Sequence, residues 1–127
     1  MNIKRTLALS CTIALLLPAV FAQTTTCTAE VATIHEHIGE HVVFCGTPAQ
    51  VSAPTNVKGD PVYLNFGGKF PHSTFSVVIW GDIAGKQRSK LEKRYTGKAL
   101  QIKGYVMDRD GKPQINLREL GDIEVVK

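Results

Sequence analysis

Three histidines crowd into a seven-residue stretch at His35, His37 and His41, and imidazoles so placed invite metal chemistry. His37, Glu40 and His41 formally match the H-x-x-E-H pattern of inverted zinc proteases. That pattern works on one continuous helix, where both imidazoles turn toward the same ion. Gly39 lies between them, at a place where a helix should stop. No third ligand follows nearby, and only His72 is left to approach through folding. Surface histidines at a helix end are the simpler reading, and a metal-dependent hydrolase stays only as a third hypothesis.

The remaining catalytic inventory is thin. No nucleophile, base and orienting group occur together. Asp108 and Asp110 flank a hairpin tip, where aspartates serve as turn formers. The Gly67-Gly68 pair lacks the lysine and serine that open a phosphate-cradling helix, so no cofactor is expected. An enzyme is therefore not the expectation. Cationic chemistry is better represented. Lys86, Arg88, Lys90, Lys93, Arg94 and Lys98 form a cluster broken only by Glu92, which serves either as a polyanion footprint or as a solubilising surface.

Bulk charge points to a local cationic site at most. The 127 residues carry 15 basic and 11 acidic side chains. Lys4 and Arg5 followed by an apolar run from Leu7 to Leu17 have the layout of a cleaved secretory signal over residues 1–22. The run is too short for a membrane span, which needs about 20 apolar residues. Without that leader the excess of basic over acidic side chains falls to two, so a globally basic nucleic-acid binder is not indicated. Cys11 leaves with the leader, and Cys27 and Cys45 remain as the one possible intramolecular pair. In an exported, periplasmic or secreted chain the expected state is a disulfide that fastens the N-terminal segment, residues 23–28, to the first strand.

The elements that would position these residues are marked by an internal echo. Gly39, Val42, Phe44 and Gly46 recur as Gly97, Leu100, Ile102 and Gly104, each displaced by 58 positions. Each copy reads as a turn glycine, a strand of period two, and a glycine inside the strand where it bends. A short helix is expected over Ala29 to His37, capped by Thr28. The first strand should run from His41 to about Val51, the second from Val62 to Phe66 and the third from Phe75 to Trp80. A second short helix follows, with Ser89 and Glu92 as a capping box. The fourth strand spans about Ala99 to Met107. An Asp110-Gly111 hairpin leads to the fifth, Pro113 to Leu117, and Ile123 to Val125 is a last extended piece. Strand, strand, strand, helix, strand, strand is the order of a five-stranded Greek-key OB-fold barrel, occupying residues 29–127.

Specific residues support that assignment. Ile38-Gly39 with Val42, Cys45 and Gly46, Tyr63-Leu64-Asn65-Phe66, Val78-Ile79-Trp80-Gly81, Gly97-Lys98 with Ile102 and Gly104, and Gly111-Lys112-Pro113-Gln114-Ile115 resemble bacterial OB-fold domains of the nucleic-acid-binding type. The resemblance covers about residues 29–126 and implies the fold more specifically than the ligand. In such folds the binding face is the second and third strands with the flanking loops. Strand parity puts Leu64, Phe66, Phe75, Val77 and Ile79 in the core and turns Tyr63, Asn65, Ser76 and Trp80 the other way. Tyr63 and Trp80 are the candidate stacking platform, with packing beneath the adjoining helix as the other role open to Trp80. Lys58, Lys103, Tyr105, Arg109 and Lys112 complete the candidate ligand-binding set. The expected function is non-enzymatic binding of single-stranded nucleic acid or a similar extended polyanion, and the alternative is a periplasmic adaptor for an envelope protein or glycan.

Overall fold

The computed structural model describes residues 12–18 and 26–127. Most of the leader expected over residues 1–22 lies outside the described residues. Among the described residues, no helix is long and apolar enough to cross a membrane.

Among the described residues, eight strands form two sheets. β1 (His41–Gly46), β5 (Leu100–Tyr105) and β8 (Ile123–Val125) make a three-stranded sheet in the order β1-β5-β8. β2 (Gln50–Ser52), β3 (Val62–Phe66), β4 (Phe75–Ile79), β6 (Met107–Arg109) and β7 (Lys112–Asn116) make the other, in the order β2-β3-β4-β7-β6. The expected first strand is thus divided between β1 and β2, and the expected fourth between β5 and β6. Pro48 lies in the first break and has no N–H to continue a ladder. At the second, Val106 still pairs with Glu40, and the chain changes sheet at Met107. Two open sheets facing one another therefore replace the single closed barrel that the strand order suggested.

The two halves of the glycine echo lie side by side. β1 and β5 pair antiparallel, with Val42 opposite Gly104, Phe44 opposite Ile102 and Gly46 opposite Leu100. Each bend glycine thus faces the first apolar residue of the other copy, which makes the pair a local pseudo-twofold. Gly39 and Gly97 sit at φ +90° and +67°, a conformation that favours glycine, and so start the two strands as expected. Between the sheets lies the core. Phe44 from β1 meets Phe66 and Phe75 from the other sheet at ring-centroid distances of 4.8 and 4.6 Å. Such tilted aromatic contacts add to the burial of the rings themselves.

Helical structure departs from the expectation at both places. The first helix is replaced by a turn and a 3-10 helix, Ile34–His37. Thr28 and Ala29 are drawn onto the open flank of β1: the Val43 N–H donates to the Thr28 hydroxyl, and the Cys45 N–H to the Ala29 carbonyl. Thr28 therefore has no part in capping. The Cys27–Cys45 disulfide is formed, with Cα atoms 5.7 Å apart, and closes this segment onto β1. A loop of that length stabilises by about 3 kcal/mol in the chain-entropy model.

The second helical region is longer than expected. α1 (Gly81–Ala84), a 3-10 turn and α2 (Arg88–Tyr95) follow one another, with Ala84, Leu91 and Tyr95 buried. The anticipated capping box is absent. Gln87 is the N-cap residue, and the Glu92 carboxylate instead accepts the Ala53 N–H at 3.0 Å. Arg88 donates from Nη2 to the Pro54 and Pro61 carbonyls at 2.6 and 3.1 Å. Two charged side chains of α2 thus hold the β2–β3 loop at both ends.

Candidate nucleic-acid interface

Alternation leaves a polar row on the outer face of the five-stranded sheet. Leu64, Phe66, Phe75, Val77 and Ile79 are all fully buried in the core, as strand parity required. Tyr63, Asn65 and Ser76 fall on the opposite face. Strand register places Gln50 opposite Asn65, Asn65 opposite Ser76, and Ser76 beside Gln114. One row of amides and a hydroxyl therefore crosses four strands.

This row is hydrogen-bonded within itself. Ser76 donates to Asn65 Oδ1 at 2.8 Å, and Asn65 Nδ2 donates to Gln50 Oε1 at 3.2 Å. Gln50 Oε1 also accepts the Phe70 N–H at 3.0 Å, and Gln114 Nε2 donates to Asn116 Oδ1 at 2.8 Å. Buried amides held in this way have fixed orientations. Among the described residues Gln50 Nε2 and Gln114 Oε1 take no part in these bonds, which leaves a donor and an acceptor for a ligand.

The row floors a cleft of about 540 Å³. Pro54 and Val57 of the β2–β3 loop wall one side, and Arg109, Asp110 and Lys112 of the β6–β7 hairpin wall the other. Tyr63 and Phe70 contribute the aromatic surface, and Phe70 is 76% exposed. The hairpin has the expected turn: Asp110 and Gly111 take φ +52° and +85°, and Asp108 Oδ1 accepts the Gly111 N–H at 2.7 Å. Lys112 donates to the Ser73 hydroxyl at 2.5 Å, while Arg109 makes no ion pair among the described residues.

Of the residues expected to bind ligand, Tyr63, Asn65, Arg109 and Lys112 meet in this cleft. Lys58 is exposed on the β2–β3 loop and does not line it. Trp80 is absent from its lining. Its Nε1 donates to Asn116 Oδ1 at 3.2 Å, and its ring lies against Gly59, where a Cβ would come within 2.9 Å of Cε3. It thus clamps the β2–β3 loop to β7. Lys103 is exposed on β5, in the other sheet. Tyr105 lines a separate groove of about 370 Å³ with His41, Met107, Asn116 and Arg118.

Gln50, Phe70 and Gln114 were not among the expected ligand-binding residues, and Ser76 was turned to this face by parity without being counted among them. The alternation of Gln50 with Val51, and of Gln114 with Ile115, carries a signal for two of them. Phe70 sits in a turn, where no periodicity marks it.

The histidines do not converge. His37 Nδ1 pairs with Glu40 Oε2 at 2.7 Å, and the His41 ring rests against Tyr105 at 5.2 Å. Among the described residues, no group of three or more histidine, cysteine or carboxylate side chains is placed to hold a metal ion.

The fold has solved counterparts. Asparaginyl-tRNA synthetase from Pyrococcus horikoshii matches 78% of this chain at 13% identity and a TM-score of 0.53. OBody AM1L10, solved bound to hen egg-white lysozyme, matches 80% of the chain and 93% of its own length at 20% identity and a TM-score of 0.51. The chain spans 23% of the synthetase. No protein-family model matches the chain, and no curated protein does. The similarity assigns the chain to the OB-fold class of domains, and at these identities it speaks for the fold alone.

Proposed function

We propose that this chain is an exported, non-enzymatic OB-fold module that binds single-stranded nucleic acid, or a similar extended polyanion, in the cleft over the five-stranded sheet. One observation carries this reading: an oriented row of amides lies between aromatic side chains and beside a cationic hairpin. Amides present donors and acceptors to the edges of unstacked bases. Tyr63 and Phe70 offer faces on which bases stack, and Arg109 with Lys112 stands where phosphates would be neutralised. Export is supported by the basic and apolar start of the chain and by the Cys27–Cys45 bridge.

Fluorescence anisotropy with labelled oligonucleotides tests this function. Saturable binding at low salt that weakens as salt rises is the expected result. No binding at low salt, or binding indifferent to salt, defeats it. Salt-indifferent binding of an envelope glycan or protein in the same cleft would put the adaptor reading in its place.

A further inference from the structure

β7 and the residues after it alternate without a break. Pro113, Ile115 and Leu117 are buried, while Lys112, Gln114, Asn116 and Arg118 face the other way. Lys112 and Gln114 line the cleft, and Asn116 and Arg118 line the second groove with His41, Tyr105 and Met107. The bond from Gln114 Nε2 to Asn116 Oδ1 joins the two depressions directly. At about 3.3 Å per residue, β7 from Lys112 to Asn116 is roughly 13 Å long, and Arg118 follows two residues on, so the stripe has a cation at each end.

The junction is built. Asn116 Oδ1 accepts from both Gln114 and Trp80, and its Nδ2 lies 3.1 Å from Met107 Sδ. An amide fixed at three points is a preorganised part of a surface. Beyond it Tyr105 stands 46% exposed, with its ring backed by His41 at 5.2 Å and an interplanar angle of 59°. Arg118 is exposed and makes no ion pair among the described residues. Aromatic face, oriented amide and free cation thus occur here a second time, in the same combination as in the cleft.

We propose that the cleft and the groove are two stations of one track, and that the ligand is an extended strand of several nucleotides. Tyr105 is the second stacking platform, and Arg118 the second phosphate contact. This proposal rests on the single-strand reading of the cleft. A mononucleotide bound in the cleft would need nothing from Arg118. A strand crossing the Gln114–Asn116 junction meets both.

The test is a length series of labelled oligothymidylates of two, four and eight nucleotides, measured on the wild type and on Tyr105→Ala, Tyr105→Phe, Arg118→Ala and Tyr63→Ala. Both groove positions are exposed, and circular dichroism checks that the variants keep their fold. Affinity should rise with length. Tyr105→Ala should weaken octamer binding about tenfold, leave dinucleotide binding unchanged, and be rescued by Tyr105→Phe. Arg118→Ala should lower the salt slope for the octamer alone, by about 0.7. Tyr63→Ala should weaken every length. An octamer that binds no more tightly than the dinucleotide, or that is indifferent to both groove substitutions, overturns the track and leaves the cleft standing. Failure of every length to bind overturns both.

Discussion

Gly104 and Ile115 approach so closely that a Cβ built on Gly104 would lie 2.5 Å from Ile115 Cγ2. Gly104 lies just before the point where the chain passes from β5 into β6 and changes sheet, so β5 crosses β7 there without room for a side chain. Its φ is not in the positive range, so the constraint is steric. Gly104→Ala should destabilise by about 1–3 kcal/mol, read as a lower urea midpoint with an unchanged slope. Ile115→Ala alone should cost about 2–5 kcal/mol. The double variant should lose less than the two losses added, because the new methyl enters the space Ile115 vacates. Strict additivity would mean that the two residues do not meet.

The β2–β3 loop should depend on α2 for its shape. Arg88→Ala leaves the Pro54 and Pro61 carbonyls without their shared donor and should cost about 1–3 kcal/mol. Arg88→Lys should recover little, because the shorter lysine side chain does not carry its ammonium to the place of Nη2, the one nitrogen that donates to both carbonyls. Glu92→Ala should speed hydrogen exchange at the Ala53 amide, while Glu92→Gln keeps an acceptor oxygen and most of the protection. If the amide stays protected in Glu92→Ala, the loop is held some other way.

Salt dependence should separate the cations that line the cleft or the groove from those that line neither. Removing one phosphate contact to a single strand lowers the slope of log K against log salt by about 0.7. Arg109→Ala and Lys112→Ala should each show this drop, and Lys112→Ala should also lose the tie to Ser73. Lys58→Ala and Lys103→Ala should leave the slope unchanged, since neither side chain lines the cleft or the groove beside it. A titration series at four salt concentrations decides the matter, and equal effects from all four lysine and arginine variants would contradict it.

Tyr95 should make the fold sensitive to alkali. Burial pushes its phenol above the ordinary range, and Arg94, whose guanidinium lies 5.9 Å from the ring centroid, draws it partly back. A phenol with a raised folded value contributes stability that is complete below the unfolded value, near pH 10, and is lost as pH climbs through the folded one. Urea midpoints should therefore fall more steeply above about pH 10 in the wild type than in Tyr95→Phe. Parallel curves for the two proteins would show that the phenol ionises equally well in both states.

Local pattern made the strands legible. Val62–Phe66 and Ile123–Val125 are strands over the residues expected, and the parity of Leu64 and Val77 assigned the core. Both signals are carried by neighbouring residues, whose side chains alternate whatever the rest of the chain does. The glycine echo likewise marked two strands, 58 positions apart, that pair in the fold. Thr28 and Glu92 misled because a side chain that suits a helix cap also suits any unpaired N–H nearby. In the folded chain Val43 of β1 and Ala53 of the β2–β3 loop supply those groups. Strand parity turned Trp80 to the binding face and Lys103 on the fourth strand joined the candidate set, but Trp80 packs against Gly59 and Lys103 lies on the other sheet. Phe70 and Gln50 entered the cleft as neighbours brought together only by the β3–β4 turn.

The strip Thr28–Ala29 has a consequence for how this molecule behaves before it is complete. Without it, the outward amides of Val43 and Cys45 would form a bare margin open to any passing chain with extended backbone. The Cys27–Cys45 bond holds the strip in place, so oxidation does more than tighten the fold: it seals the border along which copies of the chain would otherwise stick to one another. Material kept reduced should therefore precipitate at concentrations where oxidised material stays clear.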